Sequence, residues 1–209
     1  ANEADLAKDG GARSHVMIYE RSEAKAAYPQ IVSAQKDGMP IGWGALSGLV
    51  GDSEKDGIFY AVSDSVYGNQ PSIFTIDATK QPAVITSVLR VKRDGTAAQK
   101  LDLEGITLDG KGGYWVASEG NSEKLVPHAL YNISAKGEIK AEIALPKELL
   151  EGETRFGFEG VTMIGKADDA TLWMAVQREW GKDEKGTVKL VSYNPKSKEW
   201  GAVRYPLEK

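Results

Sequence analysis

The sequence predicts an all-β protein built from repeated four-stranded units, and three observations support this. A similar segment recurs at residues 46–50, 102–107 and 158–163, and its anchor residues Ser47, Glu104 and Glu159 are 57 and 55 residues apart, a period typical of repeat proteins. Most of the 23 glycines separate short runs rich in Val, Ile, Tyr, Trp and Thr, as in strands joined by tight turns. Helical periodicity is scarce, and only residues 22–27 and 146–150 could form a helical turn or two.

The N-terminal part, residues 1–44, is expected to be an arm rather than a repeat. Residues 1–14 are polar, and residues 15–19 around Met17 predict a strand. Residues 20–44 contain two prolines and several glycines and are expected to be irregular. We expect the strand at Met17 to be the outer strand of a further sheet.

The remainder, residues 45–209, contains three repeats near 45–95, 101–146 and 156–207, and each repeat has four β-rich runs. The predicted strands are 46–50, 58–63, 72–77 and 83–91; 103–108, 114–118, 129–133 and 138–144; and 158–164, 171–176, 188–193 and 200–205. Four strands per repeat of this length are typical of a β-propeller blade. Trp115 and Trp173 occupy matching positions in the second strand, which indicates packing between blades.

Three blades are fewer than the roughly 4–8 that close a propeller ring. We therefore expect this partial β-propeller to belong to a larger ring, completed by a missing segment or by a second chain. An open stack would leave two sheet faces and a strand edge exposed, which is an aggregation liability.

Composition excludes several classes of function. Of the 209 residues, 41% are apolar and 27% are charged, as in soluble globular proteins. The formal net charge of −4 provides no basic surface for nucleic acid, and no apolar run approaches the roughly 20 residues of a membrane-spanning helix. There are no cysteines, so disulfides and thiolate metal sites are excluded. With only His15 and His128 and no Gly-x-Ser-x-Gly elbow, a Ser-His-Asp hydrolase is poorly supported.

Acidic residues at strand ends form the candidate site. The first strand of a propeller blade lines the central channel and the second lies beside it, so carboxylates at their ends can meet at one mouth of the channel. Such a cluster favours a hard divalent cation, Ca²⁺ above all, which could hold a phosphate or ester oxygen and activate water. The predicted metal ligands are Asp64, Glu104, Glu119 and Glu159. Glu104 and Glu159 are also predicted to be catalytic, together with Arg155, which could bind a phosphate through its planar fork.

Each of these residues also has a structural alternative. The repeated Glu-Gly pairs can fix hydrogen bonds between neighbouring blades without any ligand, and Arg155 can form a salt bridge instead. Residues 52–57 resemble the start of a calcium loop, but Ser63 stands at the twelfth position, where such a loop needs Glu. A solvated turn is therefore favoured for that segment.

The ordered motifs resemble those of the phytase-like family described by its esterase-like activity, an exported bacterial β-propeller family. The resemblance covers residues 45–207 and rests on motifs at 46–49, 61–64, 102–106, 115–120, 155–161 and 203–207. It implies a periplasmic or secreted bacterial hydrolase that cleaves a small-molecule phosphate ester with metal assistance. Two features depart from the family pattern. Gln177 stands where an acidic residue is usual, and the family continues beyond Leu207 into a segment with a Glu-Arg motif.

Three functions are compatible with the sequence. The leading hypothesis is a metal-dependent phosphoesterase of phytase-like type. The second is a non-catalytic propeller that binds a ligand or a protein partner, because fold alone confers no chemistry. The third is a calcium-dependent, lactonase-like esterase that also uses channel carboxylates.

Overall fold

The computed structural model describes residues 30–65, 70–153, 155–165 and 169–207. Within these ranges the chain is all-β, as predicted, and its helical segments are two three-residue 3-10 helices, Ser122–Lys124 and Lys147–Leu149. The described ranges therefore contain no helix that is long and apolar enough to cross a membrane. The predicted strand at 15–19 and the helical turn at 22–27 lie outside the described residues.

The described residues form strands in the following order: β1 (Ile31–Ser33), β2 (Gln35–Lys36), β3 (Met39–Pro40), β4 (Leu46–Gly51), β5 (Ile58–Ser63), β6 (Ser72–Asp77), β7 (Ala83–Arg90), β8 (Lys92–Arg93), β9 (Thr96–Ala97), β10 (Leu103–Leu108), β11 (Tyr114–Ser118), β12 (Ala129–Ile133), β13 (Ile139–Ala144), β14 (Phe158–Ile164), β15 (Thr171–Val176), β16 (Thr187–Tyr193) and β17 (Trp200–Pro206). Strands β4 to β7, β10 to β13 and β14 to β17 form three antiparallel sheets, each hydrogen-bonded in chain order. Each sheet corresponds to one sequence repeat. The predicted strands are confirmed, with ends that shift by no more than one residue.

The arm contains regular structure that was not predicted. Strand β1 pairs in parallel with β7, where Ile31 faces Ala83, and adds a fifth strand to the first sheet. Strands β2 and β3 form a hairpin whose turn residues Asp37 and Gly38 have φ values of 54° and 75°. The prediction of an irregular conformation is therefore wrong for residues 31–40, whereas residues 41–44 form no strand or helix, as predicted. The β-branched residues there pair with the free edge of β7, and an Asp-Gly turn closes a hairpin.

Apolar clusters fill the space between neighbouring sheets. Val62 and Tyr131 belong to the cluster between the first and second sheets, and both are fully buried. Trp115 and Phe158 belong to the cluster between the second and third sheets, which confirms the packing role predicted for Trp115. A third cluster covers the other face of the first sheet, where Ile41 from the arm is buried.

Two glycines allow the first strands of successive sheets to approach closely. A Cβ atom added to Gly48 would lie 2.8 Å from the carbonyl oxygen of Glu104. One added to Gly105 would lie 2.5 Å from the backbone nitrogen of Val161. No side chain fits at either distance, so the absence of a Cβ lets β4 pack against β10 and β10 against β14. The starts of the three strands, which carry the anchor residues, are thereby held together.

The outer face of the third sheet differs from its counterparts. Gly160 matches Gly48 and Gly105 in the repeat, yet a Cβ added there would meet nothing within 4 Å. Trp173 matches the buried Trp115, but it lines an apolar groove of about 450 Å³ beside Gly160. Ile164, on the same groove, is 59% exposed. In the first two repeats this surface packs between sheets, whereas in the third no residue of the described ranges covers it.

Candidate active site

A β-bulge at the start of the first strand re-aims each anchor side chain. In the second sheet Leu103 pairs with Ser118 and Gly105 with Ala117, so Glu104 is the extra residue. The third sheet repeats this pattern at residues 158–160, where Glu159 is the extra residue. The first sheet has a similar irregularity between residues 46 and 49, which contains Ser47. Bulges turn a side chain out of the regular alternation and are frequent beside active sites.

The residue after each second strand is held by the same backbone hydrogen bond. The Asp64 N–H donates to the Ala45 carbonyl at 2.9 Å, and the Glu119 N–H donates to the Asp102 carbonyl at 2.8 Å. In the third sheet the Gln177 N–H donates to the carbonyl of residue 157, also at 2.8 Å. Each acceptor lies two residues before an anchor residue. Positions 64, 119 and 177 are therefore equivalent, and each lies next to a bulge.

These two features create a cavity of about 340 Å³ at the strand starts. Its lining includes all five residues predicted from the sequence, Asp64, Glu104, Glu119, Arg155 and Glu159. The predicted convergence of these side chains is confirmed, whereas their roles stay predictions. Further residues that line the cavity are Ser65, Lys100, Leu101, Asp102, Asn121, Lys124, Val126, Phe156 and Gln177.

The tightest group of carboxylates in the cavity includes a residue that the sequence analysis missed. Asp64, Asp102 and Glu104 each place a carboxylate oxygen within 4.8 Å of the other two. The backbone N–H of Ser65 donates to Oδ1 of Asp102 at 3.1 Å and also donates to Oδ1 of Asp64. The Ser47 hydroxyl donates to Oε2 of Glu104. Asp102 lies two residues before Glu104, and alternation along an extended chain could have identified it.

Glu119 and Glu159 line the cavity outside this trio. Oε1 of Glu119 accepts a hydrogen bond of 3.1 Å from the backbone N–H of Phe156. This bond joins the end of the second sheet to the loop before β14. Only two of the four predicted metal ligands, Asp64 and Glu104, thus belong to the closest group.

Burial and mutual repulsion make these carboxyl groups resist ionisation. Burial raises the pKa of Glu104 to about 9, and the charge of Asp64 adds to the rise. Burial and the adjacent Asp64 raise the pKa of Asp102 to about 6. The pKa of Glu119 rises to about 7 and the pKa of Glu159 also rises, in both cases mainly through burial. An excess of buried negative charge is what a bound cation would neutralise.

Positive side chains also line the cavity. Lys100, Lys124 and Arg155 are exposed residues of the cavity lining. The charge of Arg155 opposes the rise in the pKa of Glu119, so the two side chains are close enough to interact. The cavity therefore combines oxygen ligands for a cation with donors for an anion.

Two other sequence features do not contribute to the cavity. The Asp52 carboxylate accepts hydrogen bonds from the backbone N–H groups of Glu54 and Lys55 at 2.8 and 3.1 Å and from the Tyr60 hydroxyl at 2.6 Å. The segment is thus a self-contained turn, as favoured over a calcium loop. His128 is buried and its Nε2 lies 3.0 Å from the Glu153 carboxylate. His15 lies outside the described residues.

Comparison with known proteins adds one finding. The model of the family described as "Phytase-like: Esterase-like activity of phytase" matches residues 41–209. This range contains the four strands of each of the three repeats and every residue of the cavity. No curated protein matches the chain.

Proposed function

Since the chain belongs to the phytase-like family, whose description is esterase-like activity of phytase, we propose that it hydrolyses a phosphate ester in the acidic cavity with a divalent cation as cofactor. The observation that carries this proposal is the convergence of Asp64, Asp102 and Glu104 within 4.8 Å in a cavity that also holds Glu119, Glu159 and Arg155.

The donor set fits a hard cation. Asp64, Asp102 and Glu104 offer only carboxylate oxygens, which Ca²⁺ accepts in flexible geometry. The pKa of Glu104 is raised mainly by burial and further by the neighbouring carboxylates, and a bound cation would favour its ionised form. When bound, such an ion would polarise a phosphoryl oxygen and lower the pKa of an attached water.

The remaining residues have complementary tasks. Arg155 binds the phosphate group through charge-assisted hydrogen bonds. Glu159 also lines the cavity and accepts the proton of the attacking water. Glu119, whose pKa is about 7, donates a proton to the leaving oxygen near neutral pH.

The three sheets are best explained as consecutive blades of a β-propeller with the cavity at the mouth of its channel. This interpretation is supported by the contacts of β10 with β4 and β14. It is also supported by the uncovered surface around Gly160 and Trp173, which has the features that pack against a further sheet in the first two repeats. A fourth sheet on this surface would extend the ring.

The decisive experiment measures hydrolysis of 4-nitrophenyl phosphate by the full chain, first in EGTA and then with added Ca²⁺, Mg²⁺, Mn²⁺ or Zn²⁺. We expect activity only with a cation, and a loss of about a hundredfold in kcat/KM for Glu104→Gln and Asp102→Asn. Glu148→Gln, an exposed substitution on the second 3-10 helix, serves as the control and should leave the activity unchanged. Absence of hydrolysis with every cation, or full activity of both variants, would overturn the proposal.

A neutral ester or lactone is the second candidate substrate class. The crowded carboxylates of the cavity repel a phosphate dianion, but they do not repel an uncharged ester. The same assay with a chromogenic lactone or acetate ester separates the two. Preference for the uncharged substrate under all cation conditions would favour this alternative.

A further inference from the structure

Arg178 is a second arginine next to the cavity, and the sequence analysis did not single it out. It follows Gln177, which lines the cavity, and its Cζ lies 3.9 Å from the centroid of the Phe156 ring. The Cζ of Arg155 lies 4.8 Å from the same centroid. Two guanidinium groups therefore share one aromatic ring at the rim of the cavity. Cation–π attraction holds each group in place, despite their mutual repulsion.

The donors of Arg178 are unused within the described part of the chain. Its guanidinium forms no hydrogen bond or ion pair with any described residue, and the side chain is exposed. Its charge nevertheless opposes the rise in the pKa of Glu159, so it acts on the cavity. A guanidinium carries five N–H donors in a planar fork that matches the geometry of a phosphate.

The shared ring is fixed by its own backbone. Phe156 has a φ of 66°, a left-handed conformation that is rare for a non-glycine residue. Two hydrogen bonds support it: its N–H donates to Oε1 of Glu119 at 3.1 Å, and its carbonyl accepts from Nε1 of Trp180 at 3.1 Å. A non-glycine residue in this conformation persists only where its surroundings determine it, and such residues cluster at functional sites.

A buried ion pair between Asp183 and Lys189 fixes Trp180, which donates to the Phe156 carbonyl. Trp180 is 1% exposed, and its backbone N–H donates to Oδ2 of Asp183 at 2.9 Å. Lys189 donates to both Asp183 oxygens at 2.7 and 2.8 Å, and its Nζ lies 4.2 Å from the centre of the Trp180 ring. Trp180, which donates to the Phe156 carbonyl, is therefore itself held by Asp183 and Lys189.

We infer that Arg178 and Arg155, held on the Phe156 ring, form a paired guanidinium clamp for the phosphate group of a dianionic phosphate monoester. The effect of this clamp on catalysis rests on the proposed function, because the clamp would select the class of ester that the cavity hydrolyses. Lys100 and Lys124, also in the cavity lining, add positive charge to the rim. A dianion gains from two guanidinium groups, whereas an uncharged ester gains nothing from the second one.

The test compares two esters with the same leaving group, 4-nitrophenyl phosphate and 4-nitrophenyl acetate, on the full chain with Ca²⁺. For Arg178→Gln we expect KM for the phosphate ester to rise about ten- to a hundredfold, the range for loss of a hydrogen bond to a charged group. KM for the acetate ester should not change. Arg178→Lys keeps the charge but loses the fork and should be intermediate. Lys140→Gln, an exposed substitution on strand β13, controls for net charge.

A second measurement separates failure of the clamp from failure of the proposed function. Binding of phenylphosphonate, which cannot be hydrolysed, is measured by calorimetry for wild type and Arg178→Gln with and without Ca²⁺. Tighter binding by wild type supports the clamp even if no ester is hydrolysed. Equal affinities, or no binding by wild type, overturn the clamp. Wild-type phosphatase activity with an unchanged Arg178→Gln variant overturns the clamp and leaves the proposed function intact.

Discussion

The Ser47 hydroxyl donates a hydrogen bond to Oε2 of Glu104, and this bond joins the bulges of the first and second sheets across 57 residues of sequence. Glu104 is 6% exposed, and the bond favours its ionised form against the burial that raises its pKa. Ser47 is therefore a positioning residue for the carboxylate at the centre of the site.

Substitution of Ser47 by alanine should weaken cation binding. Without the donor, the ionised form of Glu104 loses stabilisation and its pKa rises further. We expect Ca²⁺ affinity to fall about tenfold, as is typical when a supporting hydrogen bond to a metal ligand is removed. Isothermal calorimetry measures this, with Ser53→Ala in an exposed turn as the control. An unchanged affinity for Ser47→Ala would contradict the role of the bond.

Neutralising Glu104 should stabilise the cation-free fold at alkaline pH. The ordinary pKa of this carboxyl is 4.5, and its folded-state pKa is about 9, so the unfolded chain releases the proton first as the pH rises. Glu104 thus contributes nothing below pH 4.5 and destabilises the fold increasingly up to about pH 9.

In EGTA at pH 8, Glu104→Gln is expected to be more stable than wild type by about 1 kcal/mol or more, because one pKa unit corresponds to about 1.4 kcal/mol. At pH 4.5 the two proteins should be similar. Urea unfolding at both pH values measures the difference, with Glu148→Gln as the control. Added Ca²⁺ should stabilise only wild type. The burial argument would be refuted if the unfolding free energy of Glu104→Gln, relative to that of wild type, were lower at pH 8 than at pH 4.5.

Equivalent glycines in the second and third sheets should respond differently to alanine. A Cβ on Gly105 would lie 2.5 Å from the Val161 nitrogen, so Gly105→Ala must separate two sheets and should cost about 1–3 kcal/mol of unfolding free energy. Gly160 has nothing within 4 Å, and Gly160→Ala should change the free energy by less than about 0.5 kcal/mol.

Urea midpoints of the two variants provide the measurement. Equal destabilisation would show that the surface around Gly160 is already covered. If a further sheet is supplied on that surface, Gly160→Ala should become as costly as Gly105→Ala, which makes this pair of variants a test of ring extension.

The buried ion pair should be sensitive to loss of its acidic partner. The side chains of Asp183 and Lys189 are 2% and 3% exposed, so Asp183→Asn leaves a buried ammonium without its counter-charge. We expect a cost of about 3–5 kcal/mol. Arg204 contacts the same carboxylate but is 42% exposed, and Arg204→Gln should cost less than about 1 kcal/mol. Tryptophan fluorescence during urea unfolding measures both, and similar costs would contradict the assignment.

The strands could be predicted because the repeat states them three times. Short β-branched runs, each bounded by turn residues, predicted the twelve strands of the three repeats to within one residue. The hairpin at Asp37 and Gly38 was not predicted, because the Asp-Gly hairpin signal lies in a segment whose two prolines indicate irregular structure. Asp94 and Gly95 repeat this signal in the hairpin of β8 and β9, which was also missed.

The site was predicted in part, for a physical reason. Residues repeated at equivalent strand positions, such as Glu104 and Glu159, could be placed because the repeat itself carries the geometry. Asp102 belongs to the site because its carboxylate lies close to that of Asp64, and Arg178 because it packs on the ring of Phe156. The contact of Asp102 with Asp64 joins the first and second repeats, and the contact of Arg178 with Phe156 depends on a left-handed backbone at residue 156, which no local pattern shows.

The hydrogen bond made by the main chain of Asp64, Glu119 and Gln177 has a consequence for altering the protein. Because this bond is made by the main-chain amide, it forms with an acidic side chain at positions 64 and 119 and with a neutral one at position 177. Gln177 already has a neutral side chain at the position that is acidic in the first two repeats, where Asp64 and Glu119 stand. The charge at these three positions can therefore be changed by single substitutions that keep the backbone hydrogen bond.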